Sequence, residues 1–246
     1  MNSEDCRPVL GIDSDFYEVL KDRLEYIERF YDAVASQFEE RKRSIEENRE
    51  PYVDRRNPED CDEPPFLSEW LEADDHINTI GFLCLSLLNE TMENYVRMFV
   101  MREFSLRTMK ELSESIKPVP KQHDGPTMRC LRWLETAKRP LFSWNDSPVK
   151  KIELEDITVT RNSFMHDQQL DERSVWQSSE HFKSHGHSAF SDSQWATFSD
   201  MLSAGFYGDD DYWVNPQRLA VNRKNFIPAV EKLRVFCGYL EMCRTR

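Results

Sequence analysis

Arg161, Asn162 and His166 are the residues whose types and spacing point most directly to chemistry. On a helix, positions 162 and 166 share a face because i and i+4 are neighbours, and 161 lies beside them. A guanidinium grips a phosphate with two prongs, and an imidazole titrating near neutrality moves a proton to or from a ribose hydroxyl or a leaving oxygen. Asn162 would orient the substrate or the imidazole. That set is the minimum for metal-independent RNA cleavage, in which the 2′-hydroxyl attacks and the charge developing on phosphorus needs a nearby cation. One copy of so small a set is sparse, which suggests two chains combining theirs. The plainer account is an Arg in a surface ion pair and a His in an ordinary structural hydrogen bond.

Three further groups compete for attention. His181, His185 and His187, with Asp192, could offer nitrogen ligands to zinc or another transition metal, but no fourth ligand has a convincing spacing and a polar, Ser-rich loop accounts for them better. The run Asp209-Asp210-Asp211 lacks the alternating ligands and closing Glu of a calcium loop. Trp133, Trp144, Trp176, Trp195 and Trp213 could stack unpaired bases beside basic residues such as Arg132, although Trp is more often core. Lys150, Lys151 and Arg132 are the candidate RNA contacts, within a basic stretch at 127–151 that also holds Arg129, Lys138 and Arg139. The tail from Asn215 onward is basic as well. Against them stands a net charge of -13, which disfavours indiscriminate binding to a polyanion. Neither a GxSxG elbow nor a phosphate-cradling glycine loop is present, which removes the corresponding hydrolases and ATPases.

The elements that must position these residues read as helices. Seven scattered glycines and no Asn-Gly or Asp-Gly hairpin signal leave a sheet-dominated fold hard to assemble. A first helix is expected from about Ser14 to Glu47, burying Phe16, Leu20, Leu24, Ile27, Phe30, Val34 and Phe38 on one face. Prolines 51, 58, 64 and 65 mark a loop. A second helix runs from about Ser68 to Phe104 or beyond, with Ile80 to Leu88 apolar on every side and therefore the most deeply buried stretch. A shorter helix from Thr127 to about Lys138 turns Met128, Leu131 and Leu134 inward, and Ser147-Pro148 looks like the cap and first turn of the segment that carries Arg161 to His166. Residues 171–215 lose periodicity and read as an irregular insertion with at most short helices, for instance around Ser193 to Leu202. The last helix, Asn225 to Cys243, buries Phe226, Val230, Leu233, Phe236, Cys237 and Leu240, with Pro228 tolerated in its first turn. The expectation is a single all-α domain over 1–246, its core at about 14–170 and 219–243.

Six cysteines with no CxxC pair write neither a zinc knuckle nor a disulfide framework, and Cys84, Cys130 and Cys237 read as small core hydrophobes. No apolar run is long enough to span a bilayer, and the start lacks the features of a signal peptide, so no membrane partner and a cytoplasmic location are expected.

Arg161-Asn162-x-x-x-His166, with two long helices before it and an amphipathic helix after it, resembles the R-N-x-x-x-H form of the signature of HEPN domains, the higher eukaryote and prokaryote nucleotide-binding superfamily. The resemblance implies a helical bundle, usually dimeric, with two motif copies facing across a cleft. It implies a metal-independent endoribonuclease of toxin-antitoxin or phage-defence type, with Arg161 and His166 catalytic, Asn162 positioning and no cofactor. RNA would be the substrate, and an antitoxin or defence-system protein a partner. Some relatives carry a tyrosine two positions beyond the histidine as an adenylylation target; here Gln168 stands there, which speaks against an antitoxin acting by that route. Other relatives are inactive scaffolds, so a non-enzymatic interaction or ligand-sensing module is the alternative.

Overall fold

The computed structural model describes residues 15–56, 64–119, 125–136, 142–166, 175–176, 188–191 and 218–244. It is an all-α bundle: α1 (Asp15–Glu46), α2 (Leu67–Glu103), α3 (Met109–Ile116), α4 (Gly125–Thr136), α5 (Lys151–His166) and α6 (Arg223–Arg244), plus a two-stranded antiparallel ladder of β1 (Val175–Trp176) and β2 (Arg218–Leu219). Among the described residues, no helix is long and apolar enough to cross a membrane.

Helix α2 is the axis of the bundle. Phe82, Cys84, Leu85, Leu88, Met92, Val96, Phe99 and Val100 are buried along it, and α1, α4, α5 and α6 all pack on it. Its centre is not buried on every side as expected, since Leu83 is 50% exposed. A helix packed by neighbours on most of its circumference still leaves one stripe to solvent, and 83 falls on it. On α1 the buried seam is Leu20, Leu24, Ile27, Tyr31 and Ala35, so Tyr31 and Ala35 replace the expected Phe30 and Val34. Tyr31 stacks on Phe226 of α6 at 4.9 Å, which draws position 31 inward and leaves Phe30 at the surface.

Helix α2 stops at Glu103 although no proline follows it closely. Ser105 adopts a left-handed φ of 52°, and Thr108 then caps α3 by accepting from the Glu111 backbone N–H at 3.1 Å. The Thr108-x-x-Glu111 spacing is a helix-start signal that a continuous reading of α2 overlooks. Helix α5 starts later than Ser147-Pro148 suggests. Ser147 closes a local turn, accepting from Val149 N, and the Glu153 carboxylate accepts from Lys150 N at 2.9 Å, so the first helical turn follows 150. Helix α6 starts two residues earlier than expected, which puts Pro228 in its second turn.

Much of the expected insertion at 171–215, including Ser193 to Leu202, lies outside the described residues, but two parts of it are built into the fold. Residues 175–176 pair with 218–219, and Phe190 is 1% exposed with its carbonyl accepting from Ala220 N at 2.8 Å. Trp133 and Trp144 pack against the core, Trp133 on Phe104 at 4.3 Å and Trp144 stacked on Phe236 at 5.5 Å, so their structural reading holds. Trp195, Trp213 and the side chain of Trp176 lie outside the described residues.

Cys84, Cys130 and Cys237 are buried and unpaired. Burial pushes the Cys84 and Cys130 thiols up to about 11 and Cys237 well above its ordinary value. A thiol-reactive reagent at pH 8 should leave these three unmodified until denaturant is added, as peptide mapping would report; modification of Cys84 or Cys130 in the folded protein contradicts their placement.

Candidate functional site

Helix α5 enters the bundle as an unusually polar core helix. Leu154 and Ile157 are buried, and the Phe164 ring lies flat on Phe82 at 4.8 Å, fixing its far end to α2. Glu155, Asp156, Thr158, Thr160 and Ser163 are buried as well. Buried polar groups cost free energy unless they are hydrogen-bonded, and Glu155, Asp156, Thr158 and Thr160 find specific partners. Thr158 Oγ1 donates to Asn89 Oδ1 at 2.8 Å, tying α5 to α2. The Asp156 carboxylate accepts from Ala189 N at 2.7 Å, and Thr160 Oγ1 lies 3.3 Å from Ser188 Oγ, so α5 clasps the 188–191 segment. Glu155 is paired with Lys151 at 2.8 Å.

These residues were not among the expected ones. The signal for them was the Glu155-Asp156 pair set between Leu154 and Ile157, an acidic pair inside an apolar step. Asp156→Ala should lower stability by about 1–3 kcal/mol, because the Ala189 N–H loses a charged acceptor in a partly buried place. Thermal melting and the hydrogen-exchange rate at Ala189 measure it; a wild-type exchange rate there would refute the clasp.

Arg161 and Asn162 sit in the last turns of α5, both half-buried. The Arg161 Nη1 donates to Asn162 Oδ1 at 3.0 Å. Its Nε is buried with no acceptor among the described residues. Asn162 thus holds one prong of the guanidinium, and a guanidinium edge is the shape that makes a two-pronged grip on a phosphate or carboxylate. Met165, one turn beyond Arg161 on the same face, is 52% exposed, so this end of α5 opens to solvent. Backbone position 166 follows 162 by one turn on the same face, and the His166 side chain lies outside the described residues.

The candidate RNA contacts divide. Lys150 is exposed, Lys151 is engaged by Glu155, and Arg132 is half-buried. Arg129 donates to the Val119 and Lys117 carbonyls at 3.1 Å each, closing off the end of α3. The basic tail is largely consumed inside the chain: Arg223 pairs with Asp32 at 2.9 Å, Lys232 with Glu153 at 2.9 Å, Arg234 with Glu28 at 3.4 Å and Arg244 with Glu241 at 3.3 Å. Burial alone would raise Glu153, but the Lys232 ammonium and the Lys150 N–H hold its carboxyl below the ordinary value. Lys138, Arg139, His181, His185, His187, Asp192 and Asp209 to Asp211 lie outside the described residues. Within the described residues, no group of three His, Cys, Asp or Glu is placed to hold a metal.

Fold and site together define an all-α bundle in which the polar core helix α5 carries a partly engaged arginine near its end. Compared with known proteins, the chain matches no family model, no curated protein and no solved structure.

Proposed function

We propose that this chain is a metal-independent endoribonuclease of HEPN type, active as a homodimer that joins two copies of the α5 end. The observation that carries the reading is Arg161, with Nη1 held by Asn162 and Nε buried without an acceptor among the described residues. A guanidinium kept this way has an unmet demand for an anion, and a scissile phosphate meets it. His166 acts as general acid or base toward the 2′-hydroxyl or the 5′-leaving oxygen, and Asn162 positions Arg161. Phage defence or a toxin-antitoxin stress response, with an antitoxin or defence-system protein as partner, is the setting that fits such an enzyme.

Cleavage of total RNA and of tRNA in EDTA tests it. Cleavage by the intact protein that persists in chelator and disappears in Arg161→Ala and His166→Ala supports the reading; no cleavage by the folded dimer refutes it as an autonomous nuclease. A second reading, a non-enzymatic interaction or ligand-sensing module, is favoured by the internal pairing of Arg223, Lys232, Arg234 and Arg244. Those ion pairs leave the tail little free positive charge for tracking a phosphate backbone. Binding of short anionic ligands at Arg161 without cleavage separates the two.

A further inference from the structure

We infer that α1 carries a second, solvent-facing seam that docks antiparallel on the same seam of a second copy of this chain. Val19, Arg23, Tyr26, Phe30, Ala33 and Gln37 alternate steps of four and three, and all six are exposed. Val19 is 62% exposed, Tyr26 52% and Phe30 39%. The spacing is that of a coiled-coil seam, set about 100° around the helix from the core seam of Leu20, Leu24, Ile27, Tyr31 and Ala35. The Tyr26 and Phe30 rings stack on each other at 6.3 Å in this exposed position.

The strip extends beyond α1. The Arg41–Glu72 pair at 2.8 Å and the Phe38–His76 stack at 4.6 Å set α1 and α2 antiparallel, in a register that brings half-exposed Leu83 level with Phe30. Exposed apolar side chains scattered singly need no explanation, but a heptad-spaced row continued by a neighbouring helix marks an interface. Among the described residues nothing covers this side of α1, and α6 packs on another side through Arg223–Asp32 and Arg234–Glu28.

Charge selects the occupant and its direction. A parallel pairing of two copies would set Arg23 on Arg23. In an antiparallel two-fold pairing that lays Phe30 on the second copy's Val19, each Arg23 lies over the second copy's Tyr26 ring, a cation–π contact. The same register sets Asp22 against the second copy's Arg29, twice by symmetry, at the flanking positions that choose partners in coiled coils. Among the described residues Arg29 makes a loose 3.8 Å pair with Glu25, both side chains well exposed. The pairing is a different two-fold contact from the α5 one of the nuclease reading, since α1 packs on α2 and α6. A chain that makes both contacts associates in two separable steps, of which Phe30, Asp22 and Arg29 govern this one.

Sedimentation velocity over a concentration series of the full chain tests the interface, with circular dichroism confirming that each variant keeps its helices. Phe30→Glu, Asp22→Arg and Arg29→Asp should each weaken the dimer at least about tenfold, because each substitution acts twice across the two-fold. The double variant Asp22→Arg/Arg29→Asp should return to within about threefold of the intact protein, as coupled charge pairs do in double-mutant cycles. A protein monomeric at every concentration, a dimer indifferent to Phe30→Glu, or a double variant as weak as the single ones overturns the inference.

Discussion

Gly81→Ala is expected to lower the melting temperature by about 5–10 °C, or to prevent folding, although alanine is the better helix former. Gly81 lies in the middle of α2, and a Cβ built there would fall 2.0 Å from the Val221 carbonyl oxygen and 2.7 Å from its carbonyl carbon. The obstacle is backbone, and the turn that holds it cannot shift cheaply. Ala220 N donates to Phe190 O, Asn222 N to Asn225 Oδ1, and Asn225 Nδ2 to Ala220 O, while Val221 itself is fully buried. Alanine gains about 1 kcal/mol of helix propensity over glycine, whereas forcing a methyl against fixed backbone in a packed core costs about 3 kcal/mol or more. The clash therefore wins, and Gly81→Val should be worse. A Gly81→Ala protein melting within about 2 °C of the wild type would show that the 219–222 turn does not sit on α2 as described.

Gly81 also shows where sequence reading stops. Its position inside an apolar run, Ile80 to Leu88, announces a buried helix centre, and α2 is that helix. That a backbone carbonyl 140 residues later should press on it depends on how 188–191 and 218–222 fold back, which no local pattern encodes. The same limit explains α1. Phe30 and Tyr31 are adjacent and both aromatic, and hydrophobicity alone selects Phe30; packing against Phe226 selects Tyr31. Thr108 and Glu153 cap helix starts that reading along the sequence does not place, and taking Pro148 as a start sets α5 too early.

At the site, the sequence singles out Arg161 and Asn162 but neither the hydrogen bond between them nor the segment that buries their helix. Arg161 and Asn162 are adjacent in sequence, and their hydrogen bond needs only a helix end. The burial of Asp156 and Thr160 needs the 188–191 segment, which meets them from 33 and 28 residues away. The basic stretches at 127–151 and beyond 215 mislead in the same way, because the acids that pair with Arg223 and Arg234 come from α1, some 200 residues earlier.

Arg161→Met should separate the two accounts of this arginine. If Arg161 binds the scissile phosphate, removing the cation should cut RNA cleavage in EDTA by about 10²–10³-fold, the scale seen for loss of one preorganised group that stabilises transition-state charge. Arg161→Lys keeps the charge but loses the planar edge, so it should recover only a small part of that loss. Stability should move the other way. Methionine matches much of the aliphatic stem and deletes a buried Nε that has no acceptor among the described residues, a group whose desolvation costs about 1–3 kcal/mol. Asn162 loses a partner in exchange, but it is half-buried and can turn to water. The melting temperature should therefore hold or rise by a few degrees, about 2–4 °C per kcal/mol in a chain of this size. A residue kept for an anion costs the free protein stability, whereas a residue kept for structure supports it. An Arg161→Met protein that melts about 5 °C lower while cleaving RNA at the wild-type rate would assign Arg161 to the fold and remove it from the chemistry.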